Sequence, residues 1–222
     1  MSNLLKDKYF VRRASCVFAI GVLLSCGGKK KAEVTPTPEQ LPPTAPLPTA
    51  GLAGQRVALT PLALVAAEDT LHWDSIIADR RATLDKSDSI IAALLSARAP
   101  EVTWVGPAEL RRTARRAAGI ATDPDQLGTP FLRADKLVEV PDPLRYQLRT
   151  LVGLIGGRYA MIPAGLVYRR RPGRTDATAE LSIVMVDTRV GRIGWRTVAR
   201  GDGEDPWTAL TKAVKSLTPG LP

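Results

Sequence analysis

The sequence predicts an α/β fold, a layered sandwich in which about four helices cover a mixed sheet of roughly four to five strands. Strands and helices alternate in the first half of the domain, and a strand meander closes it before a final helix. The apolar runs change between a spacing of two residues, typical of strands, and a spacing of three to four, typical of helices. The predicted order is strand, helix, strand, two helices, three strands, helix.

The first predicted strand and helix lie in residues 56–98. The run Arg56–Val65 is apolar and rich in β-branched residues, and it has the length of a strand. The helix after it takes Ser87 or Asp88 as its N-cap, although the apolar spacing also allows a start at Asp74. Its buried stripe consists of Ile90, Ile91, Leu94 and Leu95.

A second strand and helix follow, and then a long segment without periodicity. Glu101–Val105 is a short strand, and the helix Pro107–Gly119 begins with proline and ends with glycine, as helices commonly do. Residues 120–141 show no apolar period and contain three prolines. We interpret them as a loop, which is longer than compact domains usually have without a functional reason.

The next helix begins at Asp142 and Pro143, a typical start. One apolar side is expected to be buried, namely Leu144, Leu148, Leu151, Val152 and Ile155. Arg158–Arg170 then predicts a strand, in which Pro163 and Gly165 indicate a bulge or an edge position.

The clearest pattern is the hairpin formed by Ala179–Asp187 and Gly191–Arg200. Both faces of its first strand are apolar, so we expect a central pair of strands covered on each side. Trp195 is expected in the core, either across on the first strand or under the last helix, rather than at an exposed docking surface. That helix begins at Asp205 and Pro206, and its buried side is Ala209, Leu210, Ala213, Val214 and Leu217.

A leader precedes this domain. Lys6, Lys8, Arg12 and Arg13 form a positive segment, and nine apolar residues follow, too few to span a bilayer. "LLSC" then places small Ser25 directly before Cys26. This resembles the lipobox of bacterial lipoproteins, in which the cysteine thiol receives a diacylglycerol. Residues 1–25 are therefore a predicted signal peptide, and Cys26 is the predicted lipidation site that anchors the chain to a membrane.

Residues 26–54 form the predicted tether, and residues 55–218 the predicted periplasmic α/β domain. The tether is rich in proline and favours extended conformations over a packed core. Gly27 is not the aspartate associated with retention in the inner membrane, so the predicted location is the periplasmic face of the outer membrane. The formal charge is +9 for the whole chain, and it becomes +6 when the leader and its net charge of +3 are removed.

The residue types argue against an enzyme. His72 is the only histidine and both cysteines, Cys16 and Cys26, precede the domain, so no histidine cluster, catalytic triad or thiolate metal site is expected. No glycine-rich phosphate loop precedes a helix, and no GxSxG elbow occurs. We predict no catalytic residues, no metal, no cofactor and no nucleic-acid partner.

Two arginine clusters are candidates for binding an anion, since guanidinium pairs bidentately with phosphate or carboxylate. One lies on the helix at 107–119 and the other at the end of the strand 158–170. The alternative is a solvated helix face and a charged strand end that prevents aggregation. The candidate residues are Arg111, Arg112, Arg115, Arg116, Arg169, Arg170 and Arg171.

The opening "RVALTP", then "GRYAMIPAGL" and "LSIVMVDTRVGRIGWRTVARG" resemble a fold shared by several periplasmic lipoproteins. The group contains the curli-secretion lipoprotein, the Pel-polysaccharide export lipoprotein, the outer-membrane activators of penicillin-binding proteins and the TolB amino-terminal domain. In that pattern, Asp187, Gly191 and Trp195 mark the turn and the return strand. The resemblance implies a non-enzymatic protein-interaction module in envelope assembly with an unknown protein partner. The alternatives are a homo-oligomeric component of an export machine, or a direct binder of acidic glycan or lipid.

Overall fold

A mixed sheet of six strands forms the centre of the computed structural model, which describes residues 49–217. The predicted signal peptide, Cys26 and most of the tether lie outside the described residues. The last part of the predicted tether packs on the domain: Thr49–Leu52 is a short 3-10 helix, and Leu52 is buried in the core.

The strands and helices of the described residues follow one another along the chain with these bounds. The strands are β1 Arg56–Leu59, β2 Val65–Ala67, β3 Thr103–Val105, β4 Tyr159–Arg170, β5 Ala177–Asp187 and β6 Arg192–Gly203. The α-helices are α1 Asp74–Ile77, α2 Arg80–Arg98, α3 Pro107–Arg116, α4 Leu144–Leu154 and α5 Pro206–Ser216. Further 3-10 helices are Asp69–Leu71, Pro124–Gln126 and Thr129–Arg133.

The sheet has the order β3-β1-β4-β5-β6, and β2 also pairs with β4. β1 is parallel to β3 and β4, and β2 is parallel to β4, whereas β4, β5 and β6 form an antiparallel meander. Helices lie on both faces. The predicted layered α/β sandwich with a mixed sheet is confirmed. The sheet has one strand more than predicted because the first predicted strand is divided, and the short α1 adds a helix.

The division of the first strand explains how β4 carries a proline. β1 ends at Leu59 and β2 begins at Val65, and each pairs with a different half of β4. The Thr60 N–H donates to the Met161 carbonyl at 3.1 Å, so the backbone N–H and C=O of Met161 point toward β1 and β2. The backbone of Pro163, two residues further along the strand, points in the same direction. The missing N–H of Pro163 therefore points at the interruption between β1 and β2. Of the two predicted alternatives for Pro163 and Gly165, the bulge is confirmed, and the edge position does not apply because β4 is central.

The start of α2 differs from the prediction. Asp79 is the N-cap, and its side chain accepts from the Ala82 N–H at 2.9 Å. Ser87 and Asp88, the predicted caps, lie inside the helix and are buried. Ser87 donates its hydroxyl to the Thr83 carbonyl, one turn earlier, at 2.8 Å. Both short polar side chains form hydrogen bonds inside the fold, so neither of them caps the helix.

Two hydrophobic cores lie on the two faces of the sheet. The first core joins α2 and α5 to the sheet, and the second joins α3 and α4 to its other face. The predicted buried sides of the last two long helices are confirmed for Leu144, Leu148, Leu151, Val152 and Ile155 in the second core and for Ala209, Leu210, Ala213, Val214 and Leu217 in the first. Of the predicted α2 stripe, Ile91 and Leu95 are buried, and Ile90 and Leu94 are partly buried.

The segment 120–141 is more than a connecting loop. It contains two 3-10 helices, and Leu127, Leu132 and Val140 are buried in the second core. Its end also pairs with the start of β6, where the Ile193 N–H donates to the Val138 carbonyl at 2.9 Å. The helix before it ends at Arg116 rather than at Gly119. A segment without periodicity can therefore contribute buried residues to the core of a sheet face.

The hairpin of β5 and β6 is present, but only β5 is central. Along β5, Leu181 and Ile183 belong to the first core, and Val184 and Val186 belong to the second, as the alternation predicts. β6 is an edge strand of the sheet, so the prediction of a central pair is wrong for the second strand. Trp195 is half-buried and packs against the first core, opposite Met185. It is neither a fully buried core residue nor an exposed one.

α5 packs directly on the backbone of β6. A Cβ atom at Gly201 would coincide with the backbone of α5, where Ala213 N and the Ala209 carbonyl oxygen lie, the latter at 2.6 Å. A Cβ atom at Gly203 would lie 2.5 Å from Ala209 N. Both glycines are therefore required for close approach of the helix to the strand.

Candidate interaction surfaces

The structure divides the predicted arginines of α3 into one internal residue and three external ones. Leu110 and Ala114 form the buried side of the helix. Arg111 turns toward α2, and its side chain is only 15% exposed. The other three predicted residues, Arg112, Arg115 and Arg116, are exposed.

Arg111 is the centre of a charge network that we call the arginine hub, formed by Arg111, Arg81, Asp85, Asp88 and Asp125. Its guanidinium donates to both carboxylate oxygens of Asp125, the shortest distance being 2.7 Å, and to Asp88 Oδ2 at 3.0 Å. Asp85 Oδ1 lies 3.4 Å from Arg111 Nη1. The hub thus joins α2, α3 and the 3-10 helix at residues 124–126.

Asp88 links the arginine hub to the sheet. Its Oδ1 accepts from the Leu62 N–H at 2.8 Å, in the segment between β1 and β2. The side chain is almost fully buried, and this burial raises the pKa of Asp88 to about 6 despite the opposing effects of the Leu62 hydrogen bond and the Arg111 charge. A buried carboxylate of this kind depends on its cation, because an unpaired charge in a core is costly.

Arg81 completes the arginine hub from the solvent side. It donates to Asp85 at 2.9 Å and to Asp125 at 3.0 Å. Burial opposes ionisation of Asp125, but the hydrogen bonds from Arg111 and Arg81 prevail and lower its pKa. Every carboxylate of the hub has an arginine within ion-pair distance, so we assign the hub a structural role.

The second predicted cluster, at the end of β4, is paired with carboxylates of its own chain. Arg169 donates to Glu180 at 2.9 Å and to Glu68 at 3.3 Å. Arg171 donates to Asp202 at 2.5 Å and to Asp176 at 3.2 Å.

Arg170 has internal partners as well: its backbone N–H donates to Glu68 at 2.9 Å, and its guanidinium donates to the Thr70 carbonyl at 2.5 Å. The two predicted clusters therefore lie on different elements and differ in their counter-charges. Anion binding by either cluster stays a prediction.

A shallow site of mixed charge lies where β6 meets α5. It has a volume of about 540 Å³, and its lining includes Arg174, Asp176, Glu204 and Lys212. Asp205 lies at its margin and caps α5, as predicted, by accepting from the N–H groups of Trp207 and Thr208. Among the described residues, no group of three or more His, Cys, Asp or Glu side chains has an arrangement that could hold a metal ion.

Seven large hydrophobic side chains of the described residues are exposed, and six of them lie between residues 120 and 190. Ile76 belongs to α1, whereas the others follow α3, lie on α4 or occupy the turn before β6. The exposed residues other than Ile76 are Ile120, Phe131, Val138, Tyr146, Leu154 and Val190. Phe131 is 73% exposed and Tyr146 is 67% exposed. We call the set Ile120, Phe131, Val138, Tyr146 and Val190 the apolar surface.

Sequence reasoning missed the apolar surface, although one signal was available. Tyr146 is a large aromatic residue that falls outside the buried stripe of its helix, between Leu144 and Leu148. An aromatic residue on the solvent side of an amphipathic helix indicates a contact surface, because such residues are enriched at interfaces. Phe131 and Val138 offered no such signal, since nothing in a segment without periodicity distinguishes an exposed apolar residue from a buried one.

The fold and its surfaces together define a three-layer α/β domain with polar networks inside and an apolar surface outside. No described helix is both long enough and apolar enough to cross a membrane. No protein-family model and no curated protein matches the chain.

Several solved structures are similar to it. The LpoB C-terminal domain from Salmonella enterica is 13% identical, with 69% of this chain and 84% of that chain covered and a TM-score of 0.35. The PelC dodecamer from Paraburkholderia phytofirmans is 12% identical, with 74% and 87% covered and a TM-score of 0.33. Lipoprotein GNA1162 from Neisseria meningitidis is 13% identical, with 66% and 78% covered and a TM-score of 0.28. LpoB and PelC belong to the group of lipoproteins that the hairpin sequence resembles. At these values the similarity concerns the fold alone.

Proposed function

We propose that the chain is a lipoprotein anchored to the outer membrane through Cys26, whose periplasmic domain docks on a protein of the cell envelope and catalyses no reaction. The leader, the lipobox cysteine and the proline-rich segment support the anchor. At about 3.1 Å per residue, a tether of this length allows the domain to reach partners well away from the membrane surface.

The apolar surface is the observation that carries the docking role. Phe131 and Tyr146 expose aromatic rings, which contribute large contact areas at little cost in side-chain entropy. Phe131 and Val138 lie in the segment 120–141, which is held in place by Leu127, Leu132 and Val140 in the core. A surface segment that is fixed from below presents its exposed residues in one arrangement, and this favours binding.

The polar side chains support a binding role over a catalytic one. The arginine hub holds Asp88, the most buried carboxylate of the described residues, against Arg111 and the Leu62 N–H, so each of its oxygens accepts a hydrogen bond from the protein itself. His72 is exposed and lies at the end of the 3-10 helix Asp69–Leu71, where its backbone N–H bonds to Asp69. A general acid or base needs an orienting partner, and the side chain of His72 makes no hydrogen bond within the described residues.

A second candidate function, direct binding of acidic glycan or lipid, is favoured by a different observation. Arg112, Arg115 and Arg116 share the exposed side of α3, and no carboxylate of the described residues lies within ion-pair distance of them. Like charges one turn apart repel each other weakly, and a bound anion would relieve this repulsion. These three residues, rather than Arg169–Arg171, are the better candidates, because the latter already have partners.

Photo-crosslinking in cells tests the docking role. A benzophenone amino acid replaces Tyr146 in one variant and Phe131 in another, and Ile76, an exposed hydrophobic residue of α1 outside the apolar surface, provides the matched control. We expect both test positions to give an adduct of one defined mass and the control to give none. An adduct of twice the chain mass would support the homo-oligomer instead. Equal labelling at all three positions, or none, would contradict a docking site on the apolar surface.

A further inference from the structure

β6 is one of the two edge strands of the described sheet. Residues 138–140 pair only with its start: the Val140 N–H donates to the carbonyl of Gly191, the residue before β6, and the Ile193 N–H donates to the Val138 carbonyl. Beyond Ile193, no described segment other than β5 shares a backbone hydrogen bond with the strand. We call Arg196–Asp202 the β6 edge.

The register shows which backbone groups face outward. The Met161 carbonyl accepts from Thr60 and therefore points away from β5. Residues directly opposite each other in an antiparallel pair point their backbone groups either toward each other or away from each other. Met185, the partner of Met161, therefore points its N–H and C=O away from β4 and toward β6. Trp195 pairs with Met185 and therefore faces β5, as does every second residue after it. The residues between them direct their N–H and C=O groups outward: Arg196, Val198, Arg200 and Asp202.

The two faces beside the β6 edge differ. One face carries α5, which touches the strand at Gly201 and Gly203. The other carries the side chains of Arg196 and Arg200. Arg196 donates one N–H to the Leu137 carbonyl at 3.1 Å, while its Nε is buried without a hydrogen-bond partner. Arg200 is exposed and shares Glu180 with Arg169.

We propose that the β6 edge takes an extended, acidic segment of a partner protein as an additional strand. This deepens the proposed function, on which it rests, by assigning a second contact. The outward N–H and C=O groups would pair with the main chain of the segment. Carboxylates at alternate positions would lie opposite Arg196 and Arg200, where cross-strand pairs of opposite charge are favourable.

A second copy of the chain fits this edge poorly. Strands in a sheet lie about 4.8 Å apart, whereas packed helices need about 8–10 Å between their axes. Because α5 packs on β6, antiparallel pairing of two copies of the edge would place both α5 helices on the same face and bring them too close together. A single extended segment carries no helix layer and avoids this conflict.

Amide exchange of the full chain in detergent, measured by NMR, provides the test. Without a ligand, the amides of Arg196, Val198, Arg200 and Asp202 should exchange at least ~10-fold faster than those of Thr197 and Ala199, which bond to β5. The probe is a peptide of about nine residues with alternating Thr and Glu, and the control peptide has Lys in place of Glu. Only the acidic peptide should slow exchange at the outward amides.

Two variants complete the test. Val198→Pro removes one outward N–H and no bond to β5, so it should abolish the effect of the peptide while the inward amides stay protected. Exchanging Arg196 and Arg200 for Glu should reverse the preference toward the Lys peptide. The proposal is overturned if the outward amides are already protected in the chain alone, if neither peptide protects them, or if both protect them equally. These readouts report on residues 196–202, so they distinguish failure here from failure of docking at Tyr146.

Discussion

Gly201→Ala is expected to lower the free energy of unfolding by about 3 kcal/mol, the upper part of the range for inserting a methyl group into a tightly packed site. The added Cβ would meet the backbone of α5 at Ala209 and Ala213, and backbone atoms, unlike a flexible side chain, cannot rotate away. The helix must therefore lift from the strand, which opens the first core at Leu210 and Val214. A thermal melt should show a decrease in Tm of roughly 10 °C.

Gly153→Ala is the matched control. Gly153 lies in α4, is exposed, and would place its Cβ within 4 Å of no other group. Alanine there should raise stability by up to about 1 kcal/mol, because it lowers the entropy of the unfolded chain. If Gly201→Ala melted at the temperature of the original protein, the close packing of α5 on β6 would be refuted.

Arg111→Ala is expected to lower the free energy of unfolding by about 3 kcal/mol at pH 7.5, since it leaves the buried Asp88 without its cation. This loss of unfolding free energy should be smaller at pH 5 than at pH 7.5. The pKa of Asp88 is raised to about 6 in the folded chain, so its contribution to stability is greatest at low pH and decreases as pH rises through 6. Arg111 itself lowers the pKa of Asp88. Arg111→Ala should therefore raise this pKa further, which makes the loss of stability at neutral pH larger.

Two further variants isolate the cause. Arg112→Ala removes an exposed arginine from the same helix and should change stability by less than about 0.5 kcal/mol. Adding Asp88→Asn to Arg111→Ala removes the buried charge but retains an acceptor for the Leu62 N–H, so much of the stability should return. Urea unfolding at the two pH values measures all of these. An equal loss at pH 5 and pH 7.5 would contradict the role assigned to Asp88.

The sequence was most informative where apolar residues repeat. The buried sides of α4 and α5 and the two faces of β5 follow from spacing alone, because a core selects for apolar side chains at each inward position. The cap at Asp205 was equally accessible, since Asp-Pro before an apolar stripe is a strong local signal. These features depend on neighbouring residues in the chain.

Features that depend on distant residues were beyond reach. Ser87 and Asp88 look like helix caps, but Asp88 is buried by contacts with Leu62 and Arg111, and no local pattern reveals either. The edge position of β6 was also missed, because the prediction of a central pair depended on the apolar faces of β5, and no local pattern shows whether another strand lies beside β6. Pro163 suggested an edge for β4, yet the interruption between β1 and β2 accommodates it in a central strand.

The same limit applies to the candidate surfaces. The arginine pattern of α3 does not show which side chains have internal partners. Arg111 is ion-paired within the arginine hub, whereas Arg112, Arg115 and Arg116 are exposed. The carboxylates that pair with Arg169 and Arg171 come from other strands and from the segments beside them. Counter-charges of this kind are a property of the assembled sheet.

The lipid content of the chain and of its Cys26→Ser variant tests the central claim, a domain tethered to a membrane, most directly. Cells are labelled with a radioactive fatty acid and separated into membrane and soluble fractions. The original chain should carry the label and sediment with the outer membrane, and mass spectrometry should find Cys26 as its lipidated first residue. The variant should carry no label, because its hydroxyl cannot replace the thiolate nucleophile. An original chain that is soluble, unlabelled and not cleaved before Cys26 would contradict the account.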